Sequence, residues 1–323
     1  MALKIAHSVQ NSRPSRRRFL KIGAAGVGAA SALRHSFSWA QEGSGKGSLR
    51  LLFYTDVHAR VEWDTPVAMA QAAAVINDLR PDIVMNGGDL ITDGFEVSDP
   101  SFLEPRWKAY MAMHNAIKGD VYSTIGNHDL VAADPRDGSP PIANPRKPFL
   151  DHLGLENTYY SFDALGYHFI VLDSIHVIGG KFHYQGLIWP EQLAWLTEDL
   201  AKTPRDTPII LTTHMPLMTG FFSAIRGATT APPPNRVVVN NRAVLEVFEN
   251  HRLMLVLQGH VHVRELIRWR DTTFITGGAV CGKWWRGNWY GTDEGFNLIT
   301  IRDGKIDWEY LDYGWKARRP DGK

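Results

Sequence analysis

A chain of 323 residues with 44% apolar and 21% charged residues has the balance of a protein that buries a core, which excludes disordered, collagen-like and coiled-coil chains. The net charge of +1 divides unevenly: residues 1–40 hold seven Lys or Arg and no acid, so the remaining 28 basic and 34 acidic residues carry −6. An acidic body argues against a general nucleic-acid binder, whose affinity comes from neutralising phosphates. The single cysteine, Cys281, excludes an intrachain disulfide and a thiolate-rich metal cage.

Residues 1–40 read as an address rather than as fold. Ser15-Arg16-Arg17-Arg18-Phe19-Leu20-Lys21 precedes a small apolar run at 22–33, and Ser38-Trp39-Ala40 forms a small-x-small cleavage site. The paired arginines resemble a twin-arginine export signal. The run is 12 residues long, too short to span a bilayer that needs ~20 helical residues. The expectation is a periplasmic or secreted protein, delivered by the twin-arginine export machinery. Its mature form, 41–323, is expected to be a single domain with no membrane span.

Along the mature chain, short apolar runs alternate with helical patterns. Strands are expected at 51–54, 82–85 and 121–125, with helices at 67–79 and 106–117 between them. This βαβαβ order implies parallel strands joined by right-handed crossovers. After a Pro-rich insert at 134–148 come a hairpin (159–162 and 167–172) and a helix at 190–200, whose Pro190 suits a helix start. Strands at 209–211 and 253–257 flank a helix near 242–249. Strands then dominate, at 265–269, 273–276, 297–301 and 306–310. The fold class is therefore α/β.

The His, Asp and Asn residues fall immediately after the apolar runs, at the carboxyl edge where an open α/β sheet binds ligands. Five segments carry them: Asp56-Val57-His58, Gly88-Asp89, Gly126-Asn127-His128-Asp129, His214, and Gly259-His260-Val261-His262. Each alone is weak. Gly-Asp is an ordinary turn, and a histidine after a strand is commonly a satisfied core residue. Five in this order, each behind a strand, point to one site.

The series resembles the calcineurin-like metallophosphoesterases, whose pattern is D-x-H, GD, GNH(D/E), H and GHxH. The resemblance runs from Asp56 to His262 and implies a four-layer αββα sandwich of two mixed sheets flanked by helices. It also implies a two-metal site. Asp56, His58 and His262 would hold one divalent ion, Asn127, His214 and His260 the other, and Asp89 would bridge them. Imidazole and oxygen ligands without thiolate suit Fe, Mn, Zn or Co. Such a pair polarises a phosphoryl group and readies a hydroxide for in-line attack. His128, left without a metal, is the candidate general acid or transition-state clamp for the leaving oxygen, with Asp129 orienting its ring or raising its pKa. The glycines before Asp89, Asn127 and His260 allow approaches that a Cβ would block. Asp173, at the end of the 170–172 run, is either a partner to a ligand histidine or a plain turn residue.

Departures from subfamily patterns narrow the resemblance. Purple acid phosphatases begin with D-x-G and carry a tyrosine three residues after the Asp of GD; here His58 and Thr92 stand there, so their redox site is not expected. Gly88-Asp89-Leu90-Ile91-Thr92-Asp93-Gly94 is more similar to class III cyclic-nucleotide phosphodiesterases and bacterial glycerophosphodiesterases. The substrate, a small phosphodiester or phosphomonoester, is expected to meet the insert at 215–240, with Arg226, and the aromatic stretch at 283–291, with Trp284, Trp285 and Arg286. Those tryptophans equally suit packing beneath the insert. Two alternatives stay open: a nuclease or nucleotidase of the same class, and a non-catalytic periplasmic protein that binds metal or ligand.

Overall fold

The computed structural model describes residues 48–320; the expected leader at 1–40 lies outside the described residues. The first half of the chain runs β1 (Ser48–Tyr54), α1 (Thr65–Leu79), β2 (Ile83–Asn86), α2 (Pro100–Ala116), β3 (Val121–Ser123) and α3 (Lys147–Leu153). Then follow β4 (Tyr160–Ala164), β5 (Tyr167–Leu172), the hairpin β6 (Ile175–Gly179) and β7 (His183–Gly186), and α4 (Pro190–Leu200). The second half runs β8 (Pro208–Thr213), α5 (Phe221–Arg226), α6 (Asn241–Val247) and β9 (Arg252–Gln258). It closes with β10 (Arg264–Trp269), β11 (Thr272–Gly277), β12 (Gly295–Arg302) and β13 (Lys305–Asp312).

These strands build two large mixed sheets, in the orders β13-β12-β1-β2-β3 and β10-β11-β9-β8-β5-β4. Within the first, β1, β2 and β3 are parallel while β12 runs antiparallel to β1. Within the second, β5, β8, β9 and β11 are parallel. Alternation along each strand explains how the sheets stack. Leu49, Leu51 and Phe53 of β1 share one apolar cluster with Phe169 and Val171 of β5, Ile210 of β8, and Leu255 and Leu257 of β9. The intervening residues, such as Leu52 and Tyr54, face Met69, Ala72 and Ile76 of α1 and Trp107 and Tyr110 of α2. The inner strands are buried on both faces, as parallel strands under helices must be. The outcome is the expected helix–sheet–sheet–helix sandwich.

Two elements differ from the sequence expectation. Helix α2 starts at Pro100 rather than near residue 106, because the Asp99 side chain caps the amide of Ser101 at 2.8 Å and Pro105 is tolerated inside the helix. The β6–β7 hairpin had no clear alternation to announce it; it packs Tyr184 against Phe95, with ring centroids 5.2 Å apart. Asp173, offered as a possible partner to a ligand histidine, instead accepts from Arg146 Nε at 2.6 Å and Thr158 Oγ1 at 2.8 Å, and so joins the loop before α3 to the end of β5.

Candidate metal centre

The structure brings all seven expected ligands together at the carboxyl ends of strands from both sheets. Asp56 and His58 follow β1, Asp89 follows β2 and Asn127 follows β3; His214 follows β8, and His260 and His262 follow β9. All are buried. Five of them, Asp56, His58, Asp89, His260 and His262, hold positive φ angles between 43° and 72°. A non-glycine residue there costs roughly 1–2 kcal/mol, so the surrounding packing holds these turns in the conformation that aims their side chains inward. Gly126 must be glycine for lack of room: a Cβ would lie 2.2 Å from Asp89 Oδ1 and 2.3 Å from the Asp89 amide nitrogen.

Hydrogen bonds to main-chain carbonyls orient three of the imidazoles. His214 Nδ1 donates to Gly87 O at 2.8 Å, His260 Nε2 to Asn235 O at 2.9 Å, and His262 Nδ1 to Gly282 O at 2.7 Å. Because a carbonyl only accepts, each of those nitrogens carries a proton, and in the neutral ring the opposite nitrogen keeps a lone pair. His214 Nε2 and His260 Nδ1 therefore point lone pairs at each other across 3.2 Å. That arrangement calls for a cation or a proton between them. Asn127 Oδ1 lies 3.3 Å and Asp89 Oδ2 3.2 Å from His214 Nε2, on the same spot.

The other half of the site repeats the pattern. His58 Nε2 and His262 Nε2 are 3.1 Å apart, and Asp56 Oδ1 is 3.2 Å from His262 Nε2. Asp89 Oδ2 is 3.5 Å from His58 Nε2, so one oxygen of Asp89 faces both groups. Its other oxygen, Oδ1, accepts from the His128 amide at 2.8 Å. Two ligands each about 2.1 Å from a cation, at angles between octahedral and tetrahedral, stand roughly 3.0–3.4 Å apart. The observed spacings match, so the residues fit two adjacent cations with Asp89 Oδ2 between them.

Electrostatics divide the imidazoles. Burial opposes charge on His214 and His262, yet Asp89 pushes His214 up to about 9, and Cys281 and Asp56 hold His262 well above its ordinary value, so the acidic surroundings draw positive charge into both halves of the site. Burial, reinforced by the nearby His128, pushes His58 well below its ordinary pKa, and burial with His214 does the same for His260; both are neutral and free to ligate. Burial opposes ionisation of Asp89, yet the His214 and His128 imidazoles hold its carboxyl well below the usual range.

These side chains and main-chain groups form a recognisable whole. The chain belongs to the calcineurin-like phosphoesterase family. The family pattern matches residues 49–264, which include every ligand and His128. The curated relative purple acid phosphatase 23 of Arabidopsis thaliana is 27% identical over 170 residues, covering 50% of this chain and 33% of that protein. This chain thus spans about a third of that relative's length. Among solved structures, a dimetal phosphatase from Danio rerio has a TM-score of 0.57 at 15% identity, over 82% of this chain and 96% of that one. A purple acid phosphatase from yellow lupin seeds has a TM-score of 0.52 at 14% identity, over 83% of this chain and 52% of that one. At these identities the two structures testify to the fold alone.

Around this phosphoesterase centre several expectations need correction. Asp129 does not orient the His128 ring. Its Oδ1 accepts from the amides of Leu90 (2.7 Å) and Ile91 (3.2 Å) and its Oδ2 from Gly126 (2.8 Å), tying the two ligand loops together. Burial and the Asp89 charge push its carboxyl up to about 8, against the pull of those bonds. The group that fixes His128 is the Asp93 amide, which donates to Nδ1 at 3.1 Å. Of the four residues offered as substrate contacts, only Trp284 adjoins the centre, with its ring centroid 4.6 Å from that of His262. Trp285 is buried, and its Nε1 holds the carbonyl of His58 at 3.0 Å. Arg226 lies over the Phe222 ring and Arg286 over Trp63, and neither lines the cavity beside Asn127.

That cavity, of about 180 Å³, is lined by Asn127 and His128 together with Asp93, Tyr184, Asn235 and Arg236. Asn235 and Arg236 belong to the 215–240 insert and went unnoticed in the sequence. The available signal was a polar pair directly behind Pro232-Pro233-Pro234, where the chain is stiff enough to present it.

Proposed function

We propose that this chain is an exported dinuclear hydrolase of small phosphate esters, periplasmic or secreted, delivered by the twin-arginine route. The observation that carries the catalytic reading is the pair of facing lone pairs on His214 and His260, beside Asp89 Oδ2. Asp56, His58 and His262 would hold one divalent cation and Asn127, His214 and His260 the other. When bound, the two cations supply Lewis acidity toward the phosphoryl oxygens and an acidified water. The donor set, imidazole with carboxylate and carboxamide, suits Fe, Mn, Zn or Co.

The chain's own residues do the rest. With Nδ1 accepting from the Asp93 amide, a neutral His128 ring carries its proton on Nε2 and can donate a hydrogen bond from there to the leaving oxygen, a clamp rather than a general acid, because giving up that proton would leave an imidazolate. A protein that only bound metal would have no use for a half-buried donor held in one tautomer beside the ligands. Trp284 forms an aromatic wall on the His262 side, suited to the flat face of a leaving group. The export reading rests on Arg16-Arg17 and the apolar run behind them.

The test is metal analysis of the protein recovered from the periplasm, followed by a screen of p-nitrophenyl esters and glycerophosphodiesters with added Mn, Zn, Co or Fe. Two cations per chain with turnover of an ester are expected. Two cations with no turnover of any ester would make it a binding protein. Retention in the periplasm after replacing Arg16 and Arg17 by Lys would overturn the export route.

A further inference from the structure

The cavity beside Asn127 holds one cation with nothing to pair with. Among the described residues, the half-buried guanidinium of Arg236 has no hydrogen-bond or ion-pair partner, although it lines the same cavity as Asn127 and His128. Its neighbour Asn235 holds the His260 ring through the main-chain carbonyl at 2.9 Å, so the loop that aims a metal ligand also presents the arginine. Arg236 lines that cavity together with Phe182 and Tyr184, on the side of the β6–β7 hairpin. The other arginine near the cavity, Arg136, is occupied by Glu96. A guanidinium without a partner, in a cavity shared with Asn127, is open to an anion, and its planar fork of donors matches phosphate oxygens.

Resting on the reading above that the centre hydrolyses phosphate esters, we propose that Arg236 is a specificity-determining residue that selects phosphomonoesters over phosphodiesters. A monoester dianion brings one more anionic oxygen than a diester, and Arg236 stands where that oxygen is met. A diester carries a second ester group in its place, which needs room and apolar cover. The cavity is small, about 180 Å³, against the several hundred typical of ligand sites. Two acidic residues, Asp93 and Glu96, line the same space, so an uncharged or cationic alcohol suits it better than a second anion. In the reaction water adds to phosphorus, the P–O bond to the alcohol breaks, and the products are the alcohol and inorganic phosphate.

The experiment compares wild type with Arg236→Met and Arg236→Lys, all loaded with metal and matched for metal content and Tm. Two readouts are taken: calorimetric affinity for inorganic phosphate, and the ratio of kcat/KM for p-nitrophenyl phosphate to that for bis-p-nitrophenyl phosphate. Loss of a charge-assisted contact of ordinary strength should weaken phosphate binding and lower the ratio roughly 10- to 100-fold in Arg236→Met, with partial recovery in Arg236→Lys. Unchanged phosphate affinity, or equal loss on both esters, overturns the assignment. If wild type turns over neither ester, the hydrolase reading fails, and the phosphate titration alone decides whether Arg236 is an anion site. If wild type prefers the diester and Arg236→Met leaves the ratio as it was, the hydrolase reading stands and this one falls.

Discussion

The main-chain amide of Asp93 donates to Nδ1 of His128 at 3.1 Å, and so keeps Nδ1 of the neutral ring unprotonated. The ring of His128 meets that of His58 edge-on with centroids 4.6 Å apart, so its proton-bearing nitrogen stays at the margin of the metal centre.

From this geometry His128→Ala should keep both cations, because no ligand is removed, yet lose turnover. Loss of one hydrogen-bond donor to the charge developing on the leaving oxygen costs roughly 10²- to 10³-fold in kcat. The loss should be smaller for p-nitrophenol, whose ring spreads the charge, than for an alkyl alcohol, whose oxygen holds all of it. Metal analysis and kcat measured on both kinds of ester check it.

Asp89 presents one oxygen, Oδ2, to His58 at 3.5 Å and to His214 at 3.2 Å. Asp89→Ala removes the one group that, among the described residues, faces both halves, so the variant should bind fewer than two cations per chain. Wild type stripped by a chelator should gain Tm when Mn or Zn is restored, by about 2.7 kcal/mol of stability at a hundredfold excess over Kd, while Asp89→Ala should gain little. Metal analysis with thermal unfolding measures both.

The ligands were legible because each lies in a short local signature behind an apolar strand, and strand order then carries all of them to one edge. What surrounds them was not legible, for three separate reasons. The acceptors that orient His214, His260 and His262 are main-chain carbonyls of Gly87, Asn235 and Gly282, and a carbonyl has no letter in the sequence. Asp129 is adjacent to His128 in the chain, but the single 3₁₀ turn at Asn127–Asp129 sends its carboxylate back to the amides of Gly126, Leu90 and Ile91. Trp284 and Trp285 look alike as letters, and only the left-handed backbone at both (φ 47° and 67°) turns one toward His262 and the other into the core. Arg236 sits in an insert without periodicity, where no pattern distinguishes a cavity residue from a solvated one.

Gly126 tests whether the loops need their close approach. Its φ of −107° is open to any residue, so Gly126→Ala should fail on space alone, driving its Cβ into Asp89. A loss of about 1–3 kcal/mol together with weaker metal binding is expected. Gly138→Ala is the contrast: φ is +78° there but nothing lies within 4 Å, so stability should drop modestly and metal content should hold. Denaturant unfolding with metal analysis on the two variants separates crowding from backbone strain.

Away from the centre, His168 bonds Asp163 through Nδ1 and Asp199 through Nε2, each at 2.8 Å. Burial alone would lower the pKa of this ring, but the bonds and charges of Asp199 and Asp163 outweigh it and hold it above its ordinary value. Asp199, conversely, is held below its ordinary value against burial by its bonds to His168 and Ser161. The sign follows by linkage. The His168 contribution is complete below the unfolded pKa of about 6.5 and is lost as pH rises through the higher folded value. The Asp199 contribution is present above its unfolded value and is lost as pH falls through the lower folded one. The stability difference between wild type and His168→Gln should therefore be larger at pH 6 than at pH 9. Taking the difference cancels the titration of the metal-site histidines, and urea unfolding of both proteins in chelator at the two pH values measures it. Equal differences at both would mean that the ring is not charged in the fold.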